Sequence, residues 1–209
     1  ALIALRHEDP VVVDGDFETQ TTADVTARFM SQWCFADAGP AIAGEVTEIV
    51  FHLAAQPIVQ IAYEDPVETF STNMMGTVNV LECARRTPSV RSVVVVTSDK
   101  CYTNHEWHWA YREKSQLGGR DPYAASKSCA ELIVHSYRES YFNSEASDKT
   151  AALLASVRAG NVIGGGDWAP HRLVPDIIST LREDRPLVLR HPKAIRPWQH
   201  VLEPLRGYL

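Results

Sequence analysis

Four consecutive valines, Val93-Val94-Val95-Val96, constrain this chain more than any other stretch of it. β-Branched side chains lose rotamer freedom in a helix and pack well on a pleated surface. A run with no polar alternation has two apolar faces, the mark of a parallel strand buried on both sides. Parallel neighbours need long crossover connections, which are usually helices.

The flanking segments fit that demand. Ile49-Val50-Phe51-His52-Leu53 is an apolar run stopped near Pro57, and reads as a second strand. From Val67 to Arg86, Phe70, Met74, Val78 and Leu81 recur at helical spacing. Arg85 and Arg86 suit the negative end of the helix dipole, and Pro88 ends the helix. After a polar, aromatic loop from Asp99 to Arg120, Asp121-Pro122 supplies an N-cap and a first-turn proline for a helix reaching about Phe142. Ala152 to Val157 predicts a further strand, Gly164-Gly165-Gly166 an irregular loop, and Leu173 to Glu183 a shorter helix. This alternation predicts an α/β fold: a parallel sheet with helices on both sides. In the first 45 or so residues, Val11-Val12-Val13-Asp14 reads as a strand and Thr22 to Phe35 as a helix, before breakers at Gly39-Pro40 and Gly44.

Bulk properties exclude several classes. The 209 residues are 45% hydrophobic and 22% charged, as in an ordinary globular protein. A net charge of −6 argues against a general nucleic-acid binder. Cys34, Cys83, Cys101 and Cys129 are widely spaced without a C-x-x-C, which favours reduced thiols over a disulfide scaffold or a zinc site. No metal site is expected. The N-terminus turns acidic too soon for a signal peptide, and no apolar run approaches the roughly 20 residues of a membrane span. A cytoplasmic, membrane-free protein is expected.

Chemistry concentrates in five places. In Tyr123-Ala-Ala-Ser-Lys127, positions i and i+4 share a helix face, so phenol and ammonium stand side by side. The cation favours the phenolate and prepares Tyr123 to act as a general base toward a hydroxyl. Alone, such a pair is also common on ordinary surfaces. Thr97-Ser98-Asp99-Lys100 follows the four-valine strand, where ligands of open α/β sheets bind. Ser98 can bond a substrate oxygen, Asp99 can transfer a proton, and Lys100 can hold or relay charge; a solvated turn is the plain alternative. In His52-Leu-Ala-Ala-Gln56-Pro57, small Ala54 and Ala55 allow close approach of a flat cofactor, while His52 reads as a satisfied core residue. Arg158-Ala-Gly-Asn161 with its following glycines offers an amide for a phosphate or ribose. Arg196, in Arg196-Pro-Trp-Gln-His200, suits a bidentate hold on a diphosphate.

Together and in this order, these motifs resemble the extended branch of the short-chain dehydrogenase/reductase superfamily. The strings FHLAAQP, TSDKCY, GGRDPYAASKSCAEL, SVRAGNVIGGGDW, RLVPDII and AIRPWQHVLEPLRGYL closely resemble CDP-glucose 4,6-dehydratases, from Ile49 to Leu209. The resemblance implies a Rossmann-like, doubly wound parallel sheet. Residues 1–160 would be a partial NAD-binding domain, and 161–209 the start of a smaller sugar-nucleotide lobe. It implies a lyase that oxidises CDP-glucose at C4 with NAD, eliminates water across C5 and C6, and returns the hydride to C6. By carry-over, Tyr123 is the base and Lys127 tunes it and binds the nicotinamide ribose. Ser98 orients the C4 oxygen, and Asp99 protonates the departing C6 hydroxyl. Related dTDP-glucose dehydratases carry a glutamate where Lys100 stands, which leaves the base at C5 open. Ala54, Ala55, Gln56 and Asn73 fall on the cofactor side; Asn161, Arg172 and Arg196 would hold the CDP portion. A homodimer or higher homo-oligomer is implied, paired through helices after Asn73 and around Tyr123.

Two other readings stay open: a sugar-nucleotide 4-epimerase of the same superfamily, and a non-catalytic relic. No glycine-rich turn for the NAD pyrophosphate occurs before residue 49, since Gly15, Gly39 and Gly44 lack the spacing. The expectation is an internal fragment, impaired in activity, with an unpaired sheet edge where its first strands are missing.

Overall fold

The computed structural model describes residues 2–6, 10–13, 47–142, 152–169, 171–189 and 191–209. The chain divides into two compact units, Ala1–Arg158 and Ala159–Leu209.

The first unit contains strands β1 (Leu2–Arg6), β2 (Pro10–Val13), β3 (Thr47–His52), β4 (Ser92–Val96) and β5 (Leu153–Val157), in the spatial order β2-β1-β3-β4-β5. β3, β4 and β5 are parallel, with Phe51 opposite Val94 and Val94 opposite Ala155. The four-valine run therefore is the central strand of the parallel core. β1 and β2 form an antiparallel hairpin, and β1 runs antiparallel along β3 with Ile3 opposite Phe51. The edge of β3, expected to be unpaired, is thus filled. An antiparallel partner satisfies the same backbone groups as a parallel one. The strand expected at Val11–Asp14 is β2; the helix expected over Thr22–Phe35 lies outside the described residues, as do Gly15, Gly39 and Gly44.

Between β3 and β4 run α1 (Val59–Glu64), α2 (Pro66–Phe70) and α3 (Gly76–Arg86). The continuous helix expected from Val67 is interrupted at Ser71–Met75 by a π-turn, where the Gly76 N–H donates to the Ser71 carbonyl five residues back. Such bulges re-aim side chains and recur at functional positions; this one carries Asn73. Between β4 and β5 runs α4 (Pro122–Tyr141). Its start is as expected: Asp121 accepts from the Ala124 N–H at 2.9 Å and Pro122 occupies the first turn. The preceding loop comes so close that a Cβ on Gly119 would lie 2.3 Å from Ala124, so only glycine fits there.

α3 and α4 pack against one another. Val50, Val93, Val95 and Leu154 from the sheet meet Val80, Leu81 and Ala84 of α3 and Val134 of α4. Both crossovers step the same way along the sheet, which puts both helices on one face. Alternation along β5 records the sidedness: Leu154 is 8% exposed and Leu153 69%. Cys101 and Cys129 are free.

The second unit contains β6 (Asn161–Ile163), α5 (Leu173–Arg182), β7 (Trp198–His200) and α6 (Leu202–Tyr208). β6 and β7 are parallel, with Asn161 opposite Trp198 and Ile163 opposite His200. Glycines bracket β6 because the flanks of β7 crowd it. A Cβ on Gly160 would meet the Pro197 oxygen at 2.7 Å, and one on Gly164 the Val201 Cγ1 at 2.9 Å. No described helix is long and apolar enough to cross a membrane, and no described cluster of His, Cys, Asp and Glu could hold a metal.

Candidate active site

At the carboxyl ends of the parallel strands of the first unit, one amide organises the backbone. Asn73 is 1% exposed. Its Oδ1 accepts from the Gln56 N–H at 2.8 Å, and its Nδ2 donates to the Gln56 carbonyl at 3.1 Å and to the Ser126 Oγ at 2.9 Å. Ser126 in turn donates to the Tyr123 carbonyl at 2.7 Å. The exit of β3, the π-turn and the first turns of α4 are therefore joined by one side chain. Gln56 extends the network, donating to Thr69 Oγ1 at 2.8 Å and accepting from the Ile58 N–H at 2.6 Å. Ala54 and Ala55 sit half-buried just before it, small enough for a flat ligand to approach the backbone.

Tyr123 and Lys127 are both buried, one helical turn apart on α4. The Lys127 Nζ donates to the Val96 carbonyl at 3.3 Å, which sets the ammonium at the end of β4. Burial pushes the lysine down to about 8, and the Glu131 carboxylate partly offsets it. Thr97 and Ser98 are buried beside it, and Asp99–Cys101 form a single 3₁₀ turn. The Ser98 Oγ accepts from the Lys100 N–H and lies 3.2 Å from Asp99 Oδ1. Lys100 Nζ pairs with Asp99 Oδ1 at 2.7 Å, with both side chains about one-third exposed. Tyr123, Lys127 and Ser98–Lys100 are thus gathered at one end of β4 and α4.

His52 departs from the satisfied core histidine expected. Thr77 spends its only hydroxyl proton on the Asn73 carbonyl, at 2.8 Å. The 3.3 Å contact to His52 therefore has the Nε2–H as donor, leaving Nδ1 as a lone pair without a partner among the described residues. Burial, and then the Lys127 charge, push this imidazole down to about 3, so it stays neutral.

One part of the site escaped the sequence reading. Glu131, a turn beyond Lys127 on α4, is buried and accepts from Thr97 Oγ1, from Ser156 Oγ at 3.0 Å, and from Arg158 Nε at 2.8 Å and Nη2 at 2.6 Å. Burial alone would raise its carboxyl, but Arg158, Thr97 and Ser156 outweigh that and hold it below the usual range. Arg158 continues to the Tyr102 hydroxyl at 2.8 Å and the Glu113 carbonyl at 3.1 Å. The available signal was the third member of a Tyr-Lys-Glu series at four-residue steps.

Asn161, Arg172 and Arg196 belong to the second unit. Asn161 opens β6, its N–H donating to the Pro197 carbonyl at 3.1 Å. Arg172 immediately precedes α5 and pairs with Asp167 at 2.9 Å. Arg196 is exposed and donates to the Ile195 carbonyl at 2.8 Å.

Comparison with known proteins fits this arrangement. The family model for GDP-mannose 4,6 dehydratase matches residues 40–208. CDP-glucose 4,6-dehydratase of Salmonella typhimurium is 56% identical over 162 residues, covering 78% of this chain and 45% of that protein. Human dTDP-D-glucose 4,6-dehydratase is 31% identical over 141 residues, covering 68% and 37%. The chain thus spans less than half the length of these relatives. Among solved structures, dTDP-glucose 4,6-dehydratase of Streptomyces venezuelae with NAD and TYD bound superposes at a TM-score of 0.67 and 25% identity, over 88% of this chain and 50% of that one. UDP-glucose 4-epimerase of Thermotoga maritima reaches 0.71 at 18% identity, over 90% and 56%, a likeness of fold alone. These likenesses establish the Rossmann-like α/β fold expected from the sequence. With its motifs gathered at the strand ends and a family model matched over most of its length, the chain belongs to the GDP-mannose 4,6 dehydratase family.

Proposed function

We propose that this chain carries the reactive-centre part of an NAD-dependent CDP-glucose 4,6-dehydratase. The observation that carries the choice of nucleotide is the 56% identity to the Salmonella CDP-glucose enzyme, against 31% to the human dTDP-glucose enzyme.

The residues present fit NAD at its nicotinamide end. Lys127 gives one N–H to Val96 and, as an ammonium, carries others that suit a ribose diol. Ala54 and Ala55 leave the backbone approachable, and Gln56 and Asn73 hold it in place. When bound, the cofactor accepts and returns the hydride that makes dehydration at an unactivated sugar possible. Tyr123 takes the C4 hydroxyl proton, helped by the neighbouring Lys127 charge. Ser98 donates to the C4 oxygen as it becomes a ketone. That ketone acidifies C5, and Asp99 delivers a proton to the departing C6 oxygen, so the C6 hydroxyl leaves as water. Lys100 Nζ lies 2.7 Å from Asp99 Oδ1, so transfer of its proton to Asp99 would supply the acid for C6 and leave Lys100 a neutral amine able to take the C5 proton. Asn161, Arg172 and Arg196 grip the CDP group.

The test is turnover. With NAD and CDP-glucose, the purified chain should form a nucleotide sugar lighter by one water, read by mass spectrometry. Tyr123→Phe should reduce that rate about 100-fold or more without changing the melting temperature. An inverted hydroxyl without loss of water would replace this reading with an epimerase. No binding of NAD or CDP-glucose in calorimetry would replace it with a non-catalytic role.

A further inference from the structure

The Glu131 carboxylate sits in the first unit where four segments meet. It lies one turn from Lys127 on α4, accepts from Thr97 at the end of β4, and accepts from Ser156 and Arg158 at the end of β5. Through Arg158 it reaches the loop after β4: the guanidinium donates to the Tyr102 hydroxyl, lies 4.9 Å over that ring, and donates to the Glu113 carbonyl. Thr97 directly precedes Ser98, Asp99 and Lys100. Glu131 is therefore hydrogen-bonded to the residue that opens the turn bearing those three groups.

Energetics argue that stability is a poor explanation for this pair. Bringing a carboxylate and a guanidinium out of water costs several kcal/mol, and well-packed apolar replacements are often as stable or more so. What an apolar pair cannot supply is directed hydrogen bonds to Thr97 and a negative charge beside Lys127.

We propose that Glu131 is the positioning residue of this site: it fixes the Thr97–Lys100 turn through Thr97 and Arg158, and it supplies the negative charge that faces the Lys127 ammonium. The groups around Lys127 leave Glu131 as that charge. His52 on β3 is buried and neutral, Tyr123 lies on the same helix face, and Asp99 is bonded to Lys100. Arg158 and Cys101 face Glu131 from the β5 end and the 3₁₀ turn. Burial favours loss of the Lys127 proton, and among the described residues Glu131 opposes it. Removing its charge also leaves the Arg158 cation uncompensated close by.

The inference rests on the proposed roles of Lys127 and Ser98–Lys100, but its test needs no turnover. The ¹³Cε resonance of Lys127, assigned by its loss in Lys127→Arg, is titrated in the chain as purified. Its midpoint should lie near 8. In Glu131→Gln it should fall by about one unit or more, and Glu131→Asp should recover most of that shift. Amide exchange across residues 97–102 should quicken about tenfold or more in Glu131→Gln, while the β3 and β4 amides hold. Glu131→Met combined with Arg158→Met should keep the fold yet show the same lowered lysine midpoint and faster exchange, and it carries the test if the glutamine variant does not fold. A folded variant whose Lys127 midpoint stays within about 0.3 unit of the parent would overturn the inference. So would unchanged exchange in the Thr97–Lys100 turn. A parent chain that turns over no CDP-glucose would defeat the proposed function alone, since the lysine midpoint is read without substrate.

Discussion

The two units treat their candidate site side chains in opposite ways. In Ala1–Arg158, Asn73, Gln56, Ser126, Lys127 and Glu131 are buried, and each has its polar atoms assigned to named partners. In Ala159–Leu209, Arg196 is exposed and bonds to a neighbouring carbonyl, and Arg172 shares an ion pair that is itself about one-third exposed. What is tightly set in the second unit is the backbone of β6 and β7, where Gly160 and Gly164 admit close contact. Groups that move protons gain from rigid placement, because small misplacements cost large factors in rate. Groups that grip a charged ligand are more useful left open to it.

The largest expected break in this contrast comes from acid. His52 is held at about 3 in the folded first unit, against 6.5 when exposed. Between those values the unfolded chain binds a proton that the folded chain does not, so stability falls as pH drops from 6.5 toward 3. The loss is about 5 kcal/mol at most, by the 1.36 kcal/mol per unit of pKa difference. Denaturant melts over that range should show it, and His52→Phe should flatten the dependence.

Asn73→Ala should rank next. It leaves the Gln56 N–H and carbonyl without partners in the interior, at about 3 kcal/mol in urea unfolding. A loss below about 1 kcal/mol would mean that the hub is not preorganised by Asn73. In the second unit, Gly164→Ala forces a Cβ to 2.9 Å from Val201, whereas Gly165→Ala enters open space. The first should cost about 1–3 kcal/mol and the second little, read as paired thermal melts. Smallest in stability is Arg196→Ala, within about 0.5 kcal/mol of the parent. If Arg196 grips the ligand as proposed, the same variant should weaken CDP-glucose binding about tenfold in calorimetry.

Much of the fold was legible because the strongest signals were local. The valine run became the centre of the parallel core, and Asp121-Pro122 began α4 as its capping chemistry requires. The π-turn at Ser71–Met75 left no such trace, since a helix with one extra residue in a turn keeps an ordinary apolar pattern. β6 and β7 were missed because three-residue strands exist only through each other, and their sequence separation hides the pairing. Within the site, Tyr123, Lys127 and Ser98–Lys100 stood out by spacing. Glu131 did not, because a charged residue in mid-helix usually means a solvated face.

The sequence by itself determined the parallel α/β core, the helix that bears Tyr123 and Lys127, and the family, since each depends on residue type and short spacing. Only the tertiary structure decided that β1 lies antiparallel on the edge of β3. It alone decided that His52 Nδ1 has no partner among the described residues and that Glu131 joins both strand ends to α4. These depend on which distant groups share one dry volume, and burial there turns an ordinary glutamate into the charge that Lys127 faces.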